Sequence, residues 1–244
     1  MGLLNRIFLL SPANCSGRRA AQVLSPASTA ALAAALRSSE GAPLGEVFAF
    51  VSGLYFRGKL TYARRFAAAS EYDAAVVGAG VHIITTNAGL RTPETRVTPA
   101  ALRAFSGADI HPGNADYRVP LERSGRALRG EVGADCDVIL LGSIASPKYT
   151  DVLLRIFGDQ LRFPIDFVGR GDMSRGGLLL RSAAEGRELE YAPVAGATLH
   201  GARPPKLPAL RTGTIAELQH CRIAELQKGR EGGRAGRESQ KNDD

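Results

Sequence analysis

Four short apolar runs, each closed by turn residues and separated from the next by a helix-like stretch, limit what this chain can fold into. They occupy residues 7–10, 82–85, 137–141 and 162–167. Each has the length of a strand buried on both faces, too short for a helix of the core. Between them, residues 46–69 carry Phe48, Val51, Tyr55, Lys59, Tyr62 and Phe66 at spacings of three and four, with Gly53 and Gly58 as places where a helix would break in two. Residues 30–36 are rich in alanine and follow Ser28 and Thr29, which suit a helix start. Residues 99–105, 119–130, 149–157 and 174–184 complete the helical set, with Ser174 expected as a cap. A weaker strand signal covers residues 74–77. Strands alternating with helices imply βαβ units, hence an α/β fold with a mostly parallel central sheet and helices on both faces.

In such sheets ligands sit beyond the carboxyl ends of the strands, so the loops that follow the strands are the places for chemistry. They span residues 11–19, 86–95, 142–148 and 169–177, and every one holds glycine together with arginine or lysine. The first reads Ser11-Pro12-Ala13-Asn14-Cys15-Ser16-Gly17-Arg18-Arg19, a strand-to-helix turn whose N–H groups and arginines suit an anion. The fourth, Gly169-Arg170-Gly171-Asp172-Met173-Ser174-Arg175-Gly176-Gly177, is the most phosphate-like segment. The third offers Ser143, Lys148 and Tyr149, a hydroxyl, a cation and a ring able to stack on a base. The second brings Asn87, an amide able to read a base edge. Neither a Walker lysine–serine pair nor GxGxxG is present. Each loop also has a plain reading as an ordinary turn.

A formal net charge of +7, carried mostly by arginine, suits phosphate-bearing partners, since the guanidinium fork matches phosphate oxygens. A GC-rich genome would raise Arg, Ala and Gly together and accounts for the same composition without function. Acid–base work needs a carboxylate or histidine near the loops, and the candidates are Asp172, Glu94 and Glu46, the last also explained by its place at a helix start. His82, His111, His200 and His220 have no metal-ligand spacing, and no GxSxG is present, so neither a metal nor a cofactor is expected. Cys15, Cys136 and Cys221 form no CxxC pair, which suits a reducing compartment. Cys15 is either a thiolate favoured by a helix N-terminus and arginines or an inert turn cysteine. No apolar stretch approaches the roughly 18 to 20 residues of a membrane span, and the apolar start is too short for a signal peptide, so a cytoplasmic protein is expected.

Residues 1–210 are expected to form one domain. Beyond it, residues 211–244 repeat Ile-Ala-Glu-Leu-Gln at 215–219 and 223–227, a short amphipathic helix followed by a charged, disorder-prone tail.

The loops, taken in order, resemble the bacterial YaaA-type superfamily of peroxide-stress proteins and their shorter relatives. The matching islands are Ile7-Phe8-Leu9-Leu10-Ser11-Pro12-Ala13, Leu140-Leu141-Gly142-Ser143 through Lys148-Tyr149, and, most specifically, Gly169-Arg170-Gly171-Asp172-Met173-Ser174-Arg175. Leu54-Tyr55-Phe56-Arg57-Gly58-Lys59-Leu60 and Thr86-Asn87-Ala88-Gly89-Leu90 are similar to motifs of the shorter relatives. The islands lie between about residues 6 and 185, and the helix-hairpin-helix segment of the longer members is not found. The resemblance implies an α/β fold, a positively charged cleft, DNA binding and a role in protection against oxidative stress.

Two functions follow as expectations. The first is binding of DNA or a nucleotide in a cleft formed by Ser11, Cys15, Gly17, Arg18, Tyr55, Arg57, Lys59, Asn87, Ser143, Lys148, Tyr149, Arg170, Ser174 and Arg175. The second is an enzyme that cleaves or exchanges an N-glycosidic bond, with Asn87 and Tyr149 on the base and Asp172 or Glu94 steadying the sugar. A partner protein docking through the tail helix is a third possibility.

Overall fold

The computed structural model describes residues 5–205 and residue 207, all but the last within a compact unit that ends at Lys206. The expectations for residues 211–244, including His220 and Cys221, lie outside the described residues. In chain order the elements are β1 (Asn5–Leu10), α1 (Arg18–Leu24), α2 (Ala31–Arg37), β2 (Ala42–Pro43), α3 (Leu44–Ser52), α4 (Leu54–Phe66), α5 (Ala74–Val77), β3 (Val81–Ile84), β4 (Leu90–Arg91), β5 (Arg96–Val97), α6 (Pro99–Gly107), α7 (Ala115–Val132), β6 (Cys136–Leu141), α8 (Pro147–Phe157), β7 (Leu161–Pro164), α9 (Asp172–Glu185) and β8 (Tyr191–Pro193). No described helix is long and apolar enough to cross a membrane.

The main sheet has the order β4-β3-β1-β6-β7-β8. Its four inner strands run parallel, and the two edge strands, β4 and β8, are antiparallel to their neighbours. The α/β fold with a mostly parallel sheet is therefore as expected. Alternation along β1 divides the interior in two. Phe8 and Leu10 join a core with Phe48, Phe56, Tyr62, Phe105 and Leu179, whereas Ile7 and Leu9 join one with Tyr117, Leu121, Val152, Leu153 and Phe157. Helices thus cover both faces, since neighbouring residues of a strand point to opposite sides.

Several boundaries moved, each for a local reason. Residues 74–77 form the short helix α5, not a strand: Asp73 accepts from Ala75 N–H at 2.8 Å and caps it, and only Val77 is buried. The helical stretch 46–69 breaks at Gly53, whose φ of 65° is left-handed, and not at Gly58. Helix α9 begins at Asp172 with Gly171 as its cap, so Ser174 lies inside the helix. Ser28 and Thr29 do not cap α2, whose cap is Ala30. The run 162–167 yields only β7, starting at Leu161, before a single 3-10 turn over Ile165–Phe167.

Gly58 stays helical for a different purpose. A Cβ on it would lie 2.6 Å from Gly176 O, and one on Gly176 would lie 2.8 Å from Tyr55 Cα. Helices α4 and α9 therefore touch backbone to backbone, a separation that side chains at these positions would forbid. The contact sets the first turn of α9 beside Tyr55 and Lys59. Gly176→Ala should lower unfolding stability in urea by about 1–3 kcal/mol through overpacking. Gly130→Ala, in α7 with nothing within 4 Å of the added atom, should instead be neutral or gain up to about 1 kcal/mol. Equal effects of the two substitutions would contradict the close-packed helix pair.

Candidate functional site

The order of the sheet fixes where its loops part. From β1 the chain crosses to β3 on one side, and from β6 it crosses to β7 on the other. The loops leaving β1 and β6 thus diverge, opening a crevice at the switch point where such sheets hold ligands. A cleft of about 440 Å³ lies there. One wall is the loop Ser11, Pro12, Ala13, Asn14, Cys15 and Ser16. Opposite stand Ser143, Lys148 and Tyr149, with Ser52 and Tyr55 from the α3–α4 junction, Asp172 from α9, and Thr86. Phe105, Ser106, Ala108 and Ile110, around the end of α6, close the remaining side.

Beneath Ser11 lies the most unusual group of the site. Lys59 reaches from α4 to the end of β1, and its Nζ donates to Ser11 O at 2.7 Å and to Ser11 Oγ at 2.8 Å. It is 1% exposed. The carbonyl it caps belongs to the first residue past the strand, where Pro12 supplies no N–H to continue the ladder. The Tyr55 and Phe56 rings flank Nζ at 4.6 and 4.8 Å from their centroids. No carboxylate forms an ion pair with Lys59 among the described residues; Asp172 acts on it only through space. Desolvating an ammonium costs several kcal/mol, whereas hydrogen bonds to a charged donor and desolvated ring contacts return about 2 kcal/mol each. The two sides nearly balance. Burial, the leading influence, lowers the Lys59 pKa to about 7, Asp172 opposing the shift and Arg175 adding to it.

The neighbouring tyrosines are held as neutral phenols. Tyr149 OH accepts from Ser143 N–H at 3.0 Å and also hydrogen-bonds the Ser11 side chain. Burial raises its pKa and that of Tyr55. The Tyr55 hydroxyl is buried without a regular hydrogen-bond geometry and faces the Arg175 guanidinium. Arg175 itself is engaged elsewhere, donating through Nε and Nη2 to Phe167 O at 3.2 and 3.0 Å and lying over the Phe167 ring.

Of the expected site residues, Ser11, Cys15, Tyr55, Ser143, Lys148, Tyr149 and Asp172 line the cleft, and Lys59 lies under Ser11. The arginines do not line it. Arg18 and Arg57 are exposed, and Arg170 donates to Asp166 O at 3.0 Å and to Ser174 Oγ at 3.3 Å. The lining is therefore hydroxyl-rich where an Arg- and Gly-rich surface was expected. Gly17 caps α1 outside the cleft. Asn87 falls in a tight hairpin, where Thr85 N–H and Oγ1 both donate to Gly89 O and turn the chain back into β4, leaving Thr86 as that loop's contribution. Glu94 pairs with Arg64 at 2.8 Å, outside the cleft, and Glu46 sits in the first turn of α3. Asp172 and Tyr149 are thus together, without Asn87 or Glu94.

Cys15 is buried, its thiol donates to Ala13 O at 3.5 Å, and burial pushes its pKa up to about 12. That environment favours the neutral thiol over the thiolate. Sequence reasoning passed over Ser52 and the 105–110 wall. The wall follows a helix, not a strand, so the strand-end rule gives no signal for it. Thr86 fixes it by donating to Phe105 O at 2.9 Å.

No group of three or more His, Cys, Asp or Glu side chains among the described residues could hold a metal ion. Comparison with protein-family models, with curated proteins and with solved structures gave no match to this chain.

Lys59 has a depressed pKa in the folded state, so the unfolded chain binds the extra proton between pH 7 and the ordinary lysine value of 10.5. Stability contributed by the neutral amine is full above that ordinary value and is lost as pH falls through about 7. Between pH 7 and 9, unfolding free energy should rise more steeply in the native chain than in Lys59→Met, by about 1.4 kcal/mol per pH unit at most. Parallel profiles would show that the amine stays charged.

Proposed function

We propose that this chain binds a nucleotide, either free or as the accessible end of a nucleic acid, in the cleft between the loops that follow β1 and β6. The observation that carries the reading is the cleft itself, about 440 Å³ at the switch point of a parallel sheet. That volume lies within the ordinary range for small-molecule sites. Phe105, Ile110 and Tyr55 offer apolar and aromatic surface for a base, while Ser16, Ser52, Thr86 and Ser106 offer hydroxyls to sugar and base edges. Lys148 stands exposed on the lining, and among the described residues its ammonium pairs with no carboxylate, which leaves it available to phosphate.

For a polymer, exposed Arg18 and Arg57 supply further positive charge outside the cleft. The resemblance of the loops to YaaA-type proteins supports DNA as that polymer and, with it, a role in protection against oxidative stress. Free thiols at Cys15 and Cys136 suit the reducing cytoplasm.

The test is calorimetric titration with nucleoside mono- and diphosphates and with short single-stranded DNA at two salt concentrations. Lys148→Ala should weaken mononucleotide binding by about tenfold, the loss of one charged hydrogen bond. Arg18→Ala with Arg57→Ala should weaken only the oligonucleotide and flatten its salt dependence. No binding of any nucleotide at millimolar concentration would overturn the reading.

A further inference from the structure

We propose that Ser11 is a nucleophile and Lys59 its general base, so that the floor of the cleft is a serine–lysine centre for acyl transfer to water from carboxylic esters. This goes beyond nucleotide binding and stands on separate observations.

Three features converge on one oxygen. Ser11 is among the residues that line the cleft. Lys59 Nζ lies 2.8 Å from that Oγ, within reach for proton transfer. Tyr149, which hydrogen-bonds the Ser11 side chain, is itself fixed by Ser143 N–H at 3.0 Å. Base and orienting group thus both contact the nucleophile, and a base within hydrogen-bond reach is what activated nucleophiles share across unrelated folds. A structural role for Lys59 is met by its bond to Ser11 O alone. It does not require an amine buried without an ion-pair partner at the floor of an open cleft, where groups with perturbed acidity concentrate.

The groups facing Nζ are Tyr55 and Phe56 of its own helix, Ser11 at the end of β1, and Asp172 and Arg175 of α9 acting through space. With the amine neutral, the 2.8 Å contact can run from Oγ–H to the nitrogen lone pair. Oγ then bonds to the ester carbonyl carbon as its proton passes to Nζ. The C–O bond to the leaving alcohol breaks, and the Nζ proton goes to that oxygen. Water repeats the sequence in reverse: it gives one proton to Nζ and its oxygen to the acyl carbon, the Ser11 ester breaks, and Oγ recovers the proton. The products are a carboxylic acid and an alcohol, with water as the only co-reactant. In the wall beside Ser11, the N–H groups of Ala13, Asn14 and Cys15 have no acceptor among the described residues, so they are donors available to the carbonyl oxygen as it becomes negative.

The experiment uses the full chain with a fluorophosphonate probe, followed by peptide mapping, and with p-nitrophenyl acetate for turnover. The expected result is a single adduct on Ser11, with a labelling rate that rises through about pH 7, the Lys59 value, and levels above it. Ser11→Ala should abolish the adduct. Lys59→Met, checked for folding by circular dichroism, should slow labelling about 100-fold or more, whereas Ser39→Ala, at an exposed serine outside the cleft, should leave it unchanged. No adduct on the native chain, an adduct on another serine, or a Ser11 adduct whose rate ignores folded Lys59→Met would each overturn the proposal. Nucleotide titration of the same samples separates the two readings: binding without Ser11 labelling removes only this one, and labelling without binding removes only the other.

Discussion

One buried amine ties the site to the fold. Lys59 satisfies the carbonyl at the end of the central strand and touches the hydroxyl beside it, from a position where water cannot share the charge. An ammonium there has to be stabilised by two aromatic rings and two oxygens of a single residue, so its charged and neutral forms lie close in free energy near neutral pH. The other features of the cleft are arranged around that balance.

The balance depends on packing some distance away. Gly58 and Gly176 let α4 and α9 meet at backbone separation, and the same approach brings Asp172 and Arg175 near enough to act on Lys59. Arg175 is anchored by Phe167 O and by the Phe167 ring, which belong to the turn after β7. A chain of contacts therefore runs from a glycine pair, through an anchored guanidinium, to the acidity of a lysine. The position of the cleft has an independent origin in the strand order, which separates the loops after β1 and β6 whatever their side chains.

The sheet was legible because each inner strand is a short apolar run between turns, and the helices because their apolar residues recur on one face. Edge strands β4 and β8 were not: two and three residues long, they carry too little pattern, and β4 exists only because Thr85 and Gly89 close a hairpin. The rule that loops after strands carry the site found Ser11, Ser143, Lys148, Tyr149 and Asp172. It overreached for the arginines because sequence counts charges without showing what they hold. Arg170 and Arg175 donate to backbone carbonyls of the turn after β7, a use that composition cannot display. Lys59 was read as a position on an amphipathic helix and as a cation of the binding cleft, not as a buried amine. That its head group reaches a strand end is a tertiary fact set by the approach of α4 to β1.

The most direct measurement is the titration of Lys59 itself by NMR, following the side-chain carbon next to Nζ in a lysine-labelled chain. Only five lysines are present, and Lys59→Met identifies the resonance. A midpoint near 7 for this lysine, well below the ordinary lysine value of 10.5, is the result that the buried amine requires. A Lys59 midpoint near 10.5 would mean that the amine stays charged under Ser11, and the site would lose its base.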